Sequence, residues 1–270
     1  MPELPEVETV RRTLKEVLVS ETIKDVSLIY PKLVQHDSTW FSNRICHQTI
    51  RDLKRKGKYL IFILDQDAML IHLRMEGKFF IKDVNYPILK HEHIIFKFES
   101  GKELRYHDVR KFGTIHLYPL ETYEIASPLA KIADEPKDID TESFYQLIHK
   151  KQITIKQALL DQTLISGLGN IYVDETLFKS RIHPTRKTNQ LSKTEVNTII
   201  TSAEAVLQKA VELGGTTIRS YTSSLGVTGR FQNELHVHMK KGEPCPICQT
   251  PIVKIKVGGR GTYVCPECQT

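Results

Sequence analysis

The sequence predicts an α+β chain of two domains, strands first and helices second, closed by a small cysteine-bearing ribbon. Three observations predict it. Between residues 23 and 118, seven short β-branched or aromatic runs are separated by turn material. From about residue 154 to 210 the apolar residues recur at helical spacing. Four of the five cysteines then fall into two Cys-x-x-Cys pairs near the end. A length of 270 residues suits two domains better than one.

The first element is helical. After Pro5, residues Val7, Val10, Leu14, Val17 and Leu18 lie on one face, with Glu6 and Glu8 in the first turn where the helix dipole favours acids. The period then becomes that of strands: 23–30, 49–53, 59–64, 68–73, 93–98, 102–106 and 114–118, broken by Gly57, Gly77 and Ser100-Gly101. Seven strands at this spacing predict a sandwich or a barrel. Between Ser127 and Glu142 two prolines and five acids mark a linker. Helices follow over 154–162 and 171–180, joined by the glycine-bearing turn 165–170 with Asn170 as the expected N-cap. Such a helix pair presents backbone N–H groups outward, a common way to grip phosphate. A third helix starts at the capping box Ser192-x-x-Glu195 and stops at Gly214-Gly215.

Charged residues make up 26% and hydrophobic ones 40%, with a mean hydropathy of −0.29, which excludes a disordered chain. No apolar run approaches the roughly 18 residues of a membrane span, and the acidic N-terminus is unlike a signal peptide. A soluble, intracellular protein is expected. Net charge is only +6, but its distribution is uneven. Residues 51–58 carry Arg51, Lys54, Arg55, Lys56 and Lys58 against Asp52 alone. Residues 179–193 carry Lys179, Arg181, Arg186, Lys187 and Lys193 with no acid. With a basic ribbon, these clusters predict a polyanionic partner.

The ribbon comprises Cys245-Pro-Ile-Cys248 and Cys265-Pro-Glu-Cys268, with strands 252–257 and 261–264 flanking a Gly258-Gly259-Arg260 tip. The spacing is that of a four-thiolate zinc site, and zinc held by four thiolates has no open position, so the metal is expected to be structural. The alternative, a pair of disulfides, suits a reducing compartment poorly. Cys46 reads as a small hydrophobe. Chemistry has another candidate. Were Met1 removed, Pro2 would offer a free secondary amine, titrating near pH 8 where a lysine titrates near 10. Its attack on a sugar carbon would give an iminium that promotes loss of a neighbouring phosphate, with Glu3 as proton donor.

At this point the motifs resemble the bacterial formamidopyrimidine-DNA glycosylase family. They are Pro2-Glu-Leu-Pro-Glu-Val-Glu8, Lys58 in Arg-Lys-Gly-Lys-Tyr59, His72-Leu-Arg-Met75-Glu76-Gly77, Asp108-Val-Arg110-Lys-Phe112-Gly113, Gly167-Leu-Gly-Asn170-Ile-Tyr172 and the ribbon. They run in order along the whole chain. Two places depart: His238-Met239-Lys240 stands where an aromatic-Gly-Arg run is expected, and the loop Ser223-Ser-Leu-Gly-Val-Thr-Gly229 matches no tight motif.

The resemblance implies a β-sandwich with flanking helices over 1–130, a linker over 131–142, a helix-two-turns-helix domain over 143–225, and a hinge with a four-cysteine zinc ribbon over 226–270. It implies a bifunctional glycosylase and lyase of base excision repair that excises oxidised purines (8-oxoguanine, formamidopyrimidines) from duplex DNA. Pro2 would be the Schiff-base nucleophile, Glu3 the general acid, and Lys58 and Arg260 would serve β- and δ-elimination. Met75, Arg110 and Phe112 would fill the gap left by the flipped base, Arg110 pairing with the orphaned cytosine. His91, Lys151, Asn170 and Arg260 would contact phosphates, and His72 and Tyr172 would also bind DNA. Glu76, Ser220 and Thr222, with the loop 220–229, would surround the lesion. One structural Zn2+ on Cys245, Cys248, Cys265 and Cys268, a monomeric state and a cytoplasmic, nucleoid-associated location complete the expectation. Two alternatives stand beside it: an endonuclease VIII-type glycosylase acting on oxidised pyrimidines, and a non-catalytic zinc-ribbon DNA-binding protein.

Overall fold

The computed structural model describes residues 1–216 and 229–270. The chain divides into two compact units, one of residues 1–130 with 214–229, the other of residues 131–213 with 230–270. Both are described below by themselves.

The first unit opens with helix α1 (Leu4–Leu18), whose face of Val7, Val10, Leu14 and Leu18 is buried as the spacing predicts, while Val17 is only half-buried. Strand β1 (Ile23–Leu28), helix α2 (Ser38–Ile45) and strands β2 (Asp52–Lys56), β3 (Tyr59–Ile63), β4 (Asp67–His72), β5 (Lys78–Asp83), β6 (Glu92–Phe98), β7 (Lys102–His107) and β8 (Thr114–Pro119) follow. They form two antiparallel four-stranded sheets, ordered β1-β6-β7-β5 and β2-β3-β4-β8. One apolar cluster takes Val26, Phe96 and Leu104 from the first sheet and Leu60, Phe62 and Ile115 from the second, with Phe62 and Phe79 meeting at 6.1 Å. Two sheets that share one core are a sandwich, not a barrel.

The pattern of residues missed β5, because Phe79-Phe80-Ile81 is a short apolar run without alternation. It also placed β2 too early. This strand is mostly charged, and its inward Arg55 is stabilised by an ion pair to Glu8 of α1 at 3.0 Å, not by apolar burial. Likewise Arg105 of β7, only 1% exposed, lies between Glu92 and Glu103.

In the second unit, α3 (Thr141–His149), α4 (Ile155–Leu160), α5 (Asn170–Lys179) and α6 (Lys193–Glu212) precede the hairpin of β9 (Val253–Val257) and β10 (Arg260–Val264). The capping box at Ser192 and Glu195 is formed, and Gly214 and Gly215 take φ of 76° and 78° where α6 stops. The acidic segment expected as a linker is bonded into this unit, through Ala133 N–H to Gln162 O and Ser166 N–H to Asp134 O. None of the described helices is long and apolar enough to cross a membrane.

Glu8 supplies a stability prediction. Burial alone would raise its pKa, but hydrogen bonds from Arg11, Arg12 and Arg55 overcome this and hold it down to about 2, against an ordinary 4.5. Its stabilisation is present above pH 4.5 and is lost as pH falls towards 2. Glu8→Gln is therefore expected to unfold at lower urea concentration than wild type at neutral pH. The gap should narrow on acidification through the range below about pH 4.5.

Candidate functional site

The start of the first unit is built around two glutamates. Glu3 is the N-cap of α1, and Glu6 reaches back to accept its backbone N–H at 2.8 Å. The other oxygen of Glu6 accepts the Thr216 backbone N–H at 2.7 Å and its hydroxyl at 3.1 Å. A side chain at Gly215 would come within 2.6 Å of the same oxygen, and its φ of +78° independently favours glycine. Pro2, Glu3 and Glu6 are all buried, while Met1 is 41% exposed. The sequence reading gave Glu6 no role beyond a first-turn acid. Its position three residues after a capping glutamate was the available signal.

Lys58 sits in the two-residue turn Gly57-Lys58 between β2 and β3, where Gly57 takes φ of +55°. The hairpin is docked on α1 by Arg55 to Glu8 and by Arg11 donating to Leu53 O at 3.1 Å. Lys58 is only 5% exposed, and its charge is felt by His72. Burial, then Arg74 and Lys58, push the His72 pKa down to about 3, so the ring is neutral. Its Nδ1 accepts the Arg74 N–H at 2.9 Å, and Tyr59 packs edge-on against it at 4.7 Å. His72 thus presents little surface, and its visible part is to brace the Lys58 turn and the loop that follows β4.

That loop and the one after β7 carry the expected gap-filling set. Met75 is 37% and Phe112 53% exposed, so neither is core, and the Arg110 guanidinium lies 4.7 Å from the Phe112 ring centre. Asp108, fully buried, shapes the second loop by accepting the backbone N–H groups of Arg110, Phe112 and Gly113 at 2.9–3.0 Å. Added side chains at Gly77 and Gly113 would lie 2.3 Å and 1.8 Å from the Tyr106 hydroxyl, so both loops close over that one group. Glu76 is half-buried near Lys78, and His91 is half-buried with φ of +72°, edge-on to His93 and His107. Ser220, Thr222 and the rest of 217–228 lie outside the described residues.

In the second unit the N-cap of α5 is Gly169, and Asn170 is the first helical residue. This corrects the sequence expectation. The Asn170 amide is used elsewhere, donating to Gly261 O of β10 at 3.0 Å, while its Oδ1 is buried without a partner among the described residues. Lys156 and Asp174, an ion pair with no exposed side-chain surface, continue the link: Asp174 also accepts from His238 Nδ1 at 2.8 Å. The tip of the hairpin is fixed too, since Gly258 packs on Gln157 of α4 and Gly258 and Gly259 take φ of +54° and +79°. Arg260 is thereby held, exposed, beside the start of α5. Lys151 is half-buried after α3. Tyr172 is fully buried against Phe231, so its visible part is to pack the helix that carries Asn170. The buried Lys156–Asp174 pair had no role in the sequence reading. An isolated lysine in an apolar helix was its only trace.

The basic clusters are partly consumed by structure: Arg51 pairs with Asp65, Arg55 with Glu8, Arg186 with Glu195 and Lys193 with Glu142. The cysteines are free of disulfides, and the sulfurs of Cys245, Cys248, Cys265 and Cys268 lie within 4.8 Å of one another. Two of the separations are 3.8 Å and 3.4 Å. A tetrahedral site with Zn–S bonds near 2.3 Å needs about 3.8 Å between sulfurs, so this set fits zinc. Burial and then the neighbouring thiols push Cys265 and Cys268 upward, a crowding that a divalent cation relieves.

Two outcomes are expected. Asp108→Ala leaves three N–H groups, that of Gly113 buried, without their acceptor and should lower the unfolding free energy by about 2 kcal/mol, read by urea denaturation. Chelation should melt the near-ultraviolet dichroism of the Tyr263 hairpin, and a variant with the four ribbon cysteines changed to serine should no longer respond to the chelator. An unchanged spectrum on chelation of the wild type would deny the cysteines a structural metal.

Comparison with known proteins agrees along the whole chain. Residues 1–115 match the family model described as formamidopyrimidine-DNA glycosylase N-terminal domain, 132–222 the H2TH domain of the same enzyme, and 242–270 the zinc finger found in FPG and IleRS. Formamidopyrimidine-DNA glycosylase of Oceanobacillus iheyensis is 46% identical over 273 residues, covering 100% of this chain and 98% of the relative. That of Geobacillus kaustophilus is 45% identical with both chains fully covered. Among solved structures, a Lactococcus lactis FPG mutant bound to DNA containing Fapy-dG superposes with a TM-score of 0.95 at 44% identity, and Lactococcus lactis Fpg on abasic-site DNA with 0.94 at 44%, both chains covered in full. With such identity from first residue to last, on a sandwich, a helical unit and a four-cysteine hairpin, the chain belongs to the formamidopyrimidine-DNA glycosylase family.

Proposed function

We propose that the protein removes oxidised purines, 8-oxoguanine and formamidopyrimidines, from duplex DNA and then cuts the strand on both sides of the gap. The observation that carries this is the first turn of α1: Pro2 is buried beside the N-cap Glu3, with Glu6 anchoring the backbone between them and Thr216. Removal of Met1 frees a secondary amine at the positive end of a helix, where a further positive charge is disfavoured and the neutral, nucleophilic form is favoured. Its bond to the sugar carbon replaces the glycosidic bond and the base leaves with the bonding pair; the amine then loses its proton, and Glu3 protonates the ring oxygen as the bond between that oxygen and the same carbon opens, leaving the iminium. The iminium draws electrons from the neighbouring carbon, and successive loss of the two phosphates follows, assigned to Lys58 and Arg260.

Met75, Arg110 and Phe112 are assigned to the space vacated by the flipped base, Arg110 to the cytosine opposite. What supports this is that Met75 and Phe112 are exposed on two braced loops and that the Arg110 guanidinium lies against the Phe112 ring. His91, Lys151, Asn170 and Arg260 are assigned to phosphates, His72 and Tyr172 to supporting that surface, and Glu76, Ser220 and Thr222 to the lesion. One zinc ion on the four cysteines would hold the hairpin that carries Arg260, taking no part in the reaction. We place the protein, as a monomer, on DNA in the bacterial cytoplasm.

The experiment is incubation with a duplex bearing a single 8-oxoguanine opposite cytosine, with the product ends read on a gel. Phosphate is expected at both ends of a one-nucleotide gap, and borohydride should trap enzyme on DNA. Retaining Met1 by an N-terminal extension should abolish trapping, and Glu3→Gln should slow it by at least about a hundredfold. Undiminished trapping by the extended protein overturns the Pro2 assignment.

A further inference from the structure

The second unit holds a cavity of about 450 Å3 that nothing in the proposed reaction uses. It lies along the C-terminal half of α5 from Glu175 onward, about 7 to 14 Å along the helix axis from Asn170. Its walls are apolar: Phe178 of α5, Val206 of α6, Phe231, and Ile247 between the paired cysteines, the last 53% exposed.

Its edge is cationic. Lys179, Arg181 and Lys209 are all exposed, and none has a carboxylate within 4.0 Å among the described residues. The two acids at the cavity do not neutralise them. Glu175 is buried and already accepts the backbone N–H groups of His236, Val237 and His238 together with the His236 ring. Glu234 is the other, leaving a net surplus of positive charge around an apolar hollow. Arg186 and Lys193, which the sequence groups with Lys179 and Arg181, are engaged by Glu195 and Glu142, and Lys187 donates to Gln152 O, so within that cluster Lys179 and Arg181 are the cations at this edge.

A nucleic-acid backbone would meet the charge but has nothing to fill the hollow. An acidic peptide with one large apolar side chain meets both. We propose that this cavity is a docking site for an acidic segment of a partner protein, an aromatic or aliphatic side chain entering between Phe178, Val206 and Phe231 while carboxylates engage Lys179, Arg181 and Lys209. Charge of this kind sets association rate and specificity, and the buried anchor sets residence time.

The probe is a short labelled peptide of aspartates flanking a single phenylalanine, titrated with the full chain by fluorescence anisotropy. Saturable binding that weakens with salt is expected. Replacing the phenylalanine by serine, or the aspartates by lysines, should each weaken it by about tenfold or more. Lys209→Glu and, separately, Arg181→Glu should weaken it by roughly tenfold. Lys209→Glu should also leave melting temperature and cleavage of damaged duplex unchanged. Equal binding of the lysine peptide, indifference to both charge reversals, or the absence of saturable binding overturns the proposal. So does displacement of the peptide by an undamaged duplex, which would make this face a nucleic-acid surface.

Discussion

A backbone nitrogen at a chain terminus is ordinarily the least fixed atom of a protein, and here it is the proposed nucleophile. Glu6 resolves the conflict. One of its oxygens holds the N–H of Glu3, the other holds Thr216, and the carboxylate lies in a buried site with both oxygens engaged. A buried carboxylate is costly unless its oxygens are satisfied, so the first turn of α1 and the backbone at 215–216 stabilise each other through it. Gly215 is required because the carboxylate occupies the space of a side chain. Every assignment made for Pro2 and Glu3 depends on this clamp.

The architecture was largely legible because it follows from local rules. The helix face of α1, the capping box of α6, the glycines ending that helix and the cysteine spacing are patterns within a few residues, and the structure shows each of them. What failed were elements whose stability comes from distant partners. Strand β2 is charged because Glu8, forty-seven residues away, neutralises Arg55. Asn170 reads as an N-cap from its neighbours, yet its amide is claimed by Gly261, ninety-one residues on. The helix start falls to Gly169 instead. No periodicity encodes such pairings.

The candidate site divides in the same way. The motif residues stood out by resemblance, whereas the groups that hold them in place did not. Asp108 opens the motif that carries Arg110 and Phe112, but only the structure shows it collecting three N–H groups beneath them. Lys156 and Asp174 are invisible to hydropathy, because a lysine with no exposed surface violates the rule such reading relies on. The basic clusters erred in the opposite direction: several of their charges close internal ion pairs and leave less for a polyanion than their count suggests. The same subtraction exposes Lys179 and Arg181 as cations still available.

The Tyr106 hydroxyl has a mechanical meaning. Because Gly77 and Gly113 both seat against it, the stretch bearing Met75 and the stretch bearing Arg110 and Phe112 are joined like two jaws on one pin. Neither can be lengthened, tilted or repacked alone. On the proposed role of Arg110 and its neighbours, retuning the choice of opposite base has to vary the exposed tips and spare the glycines at the pivot.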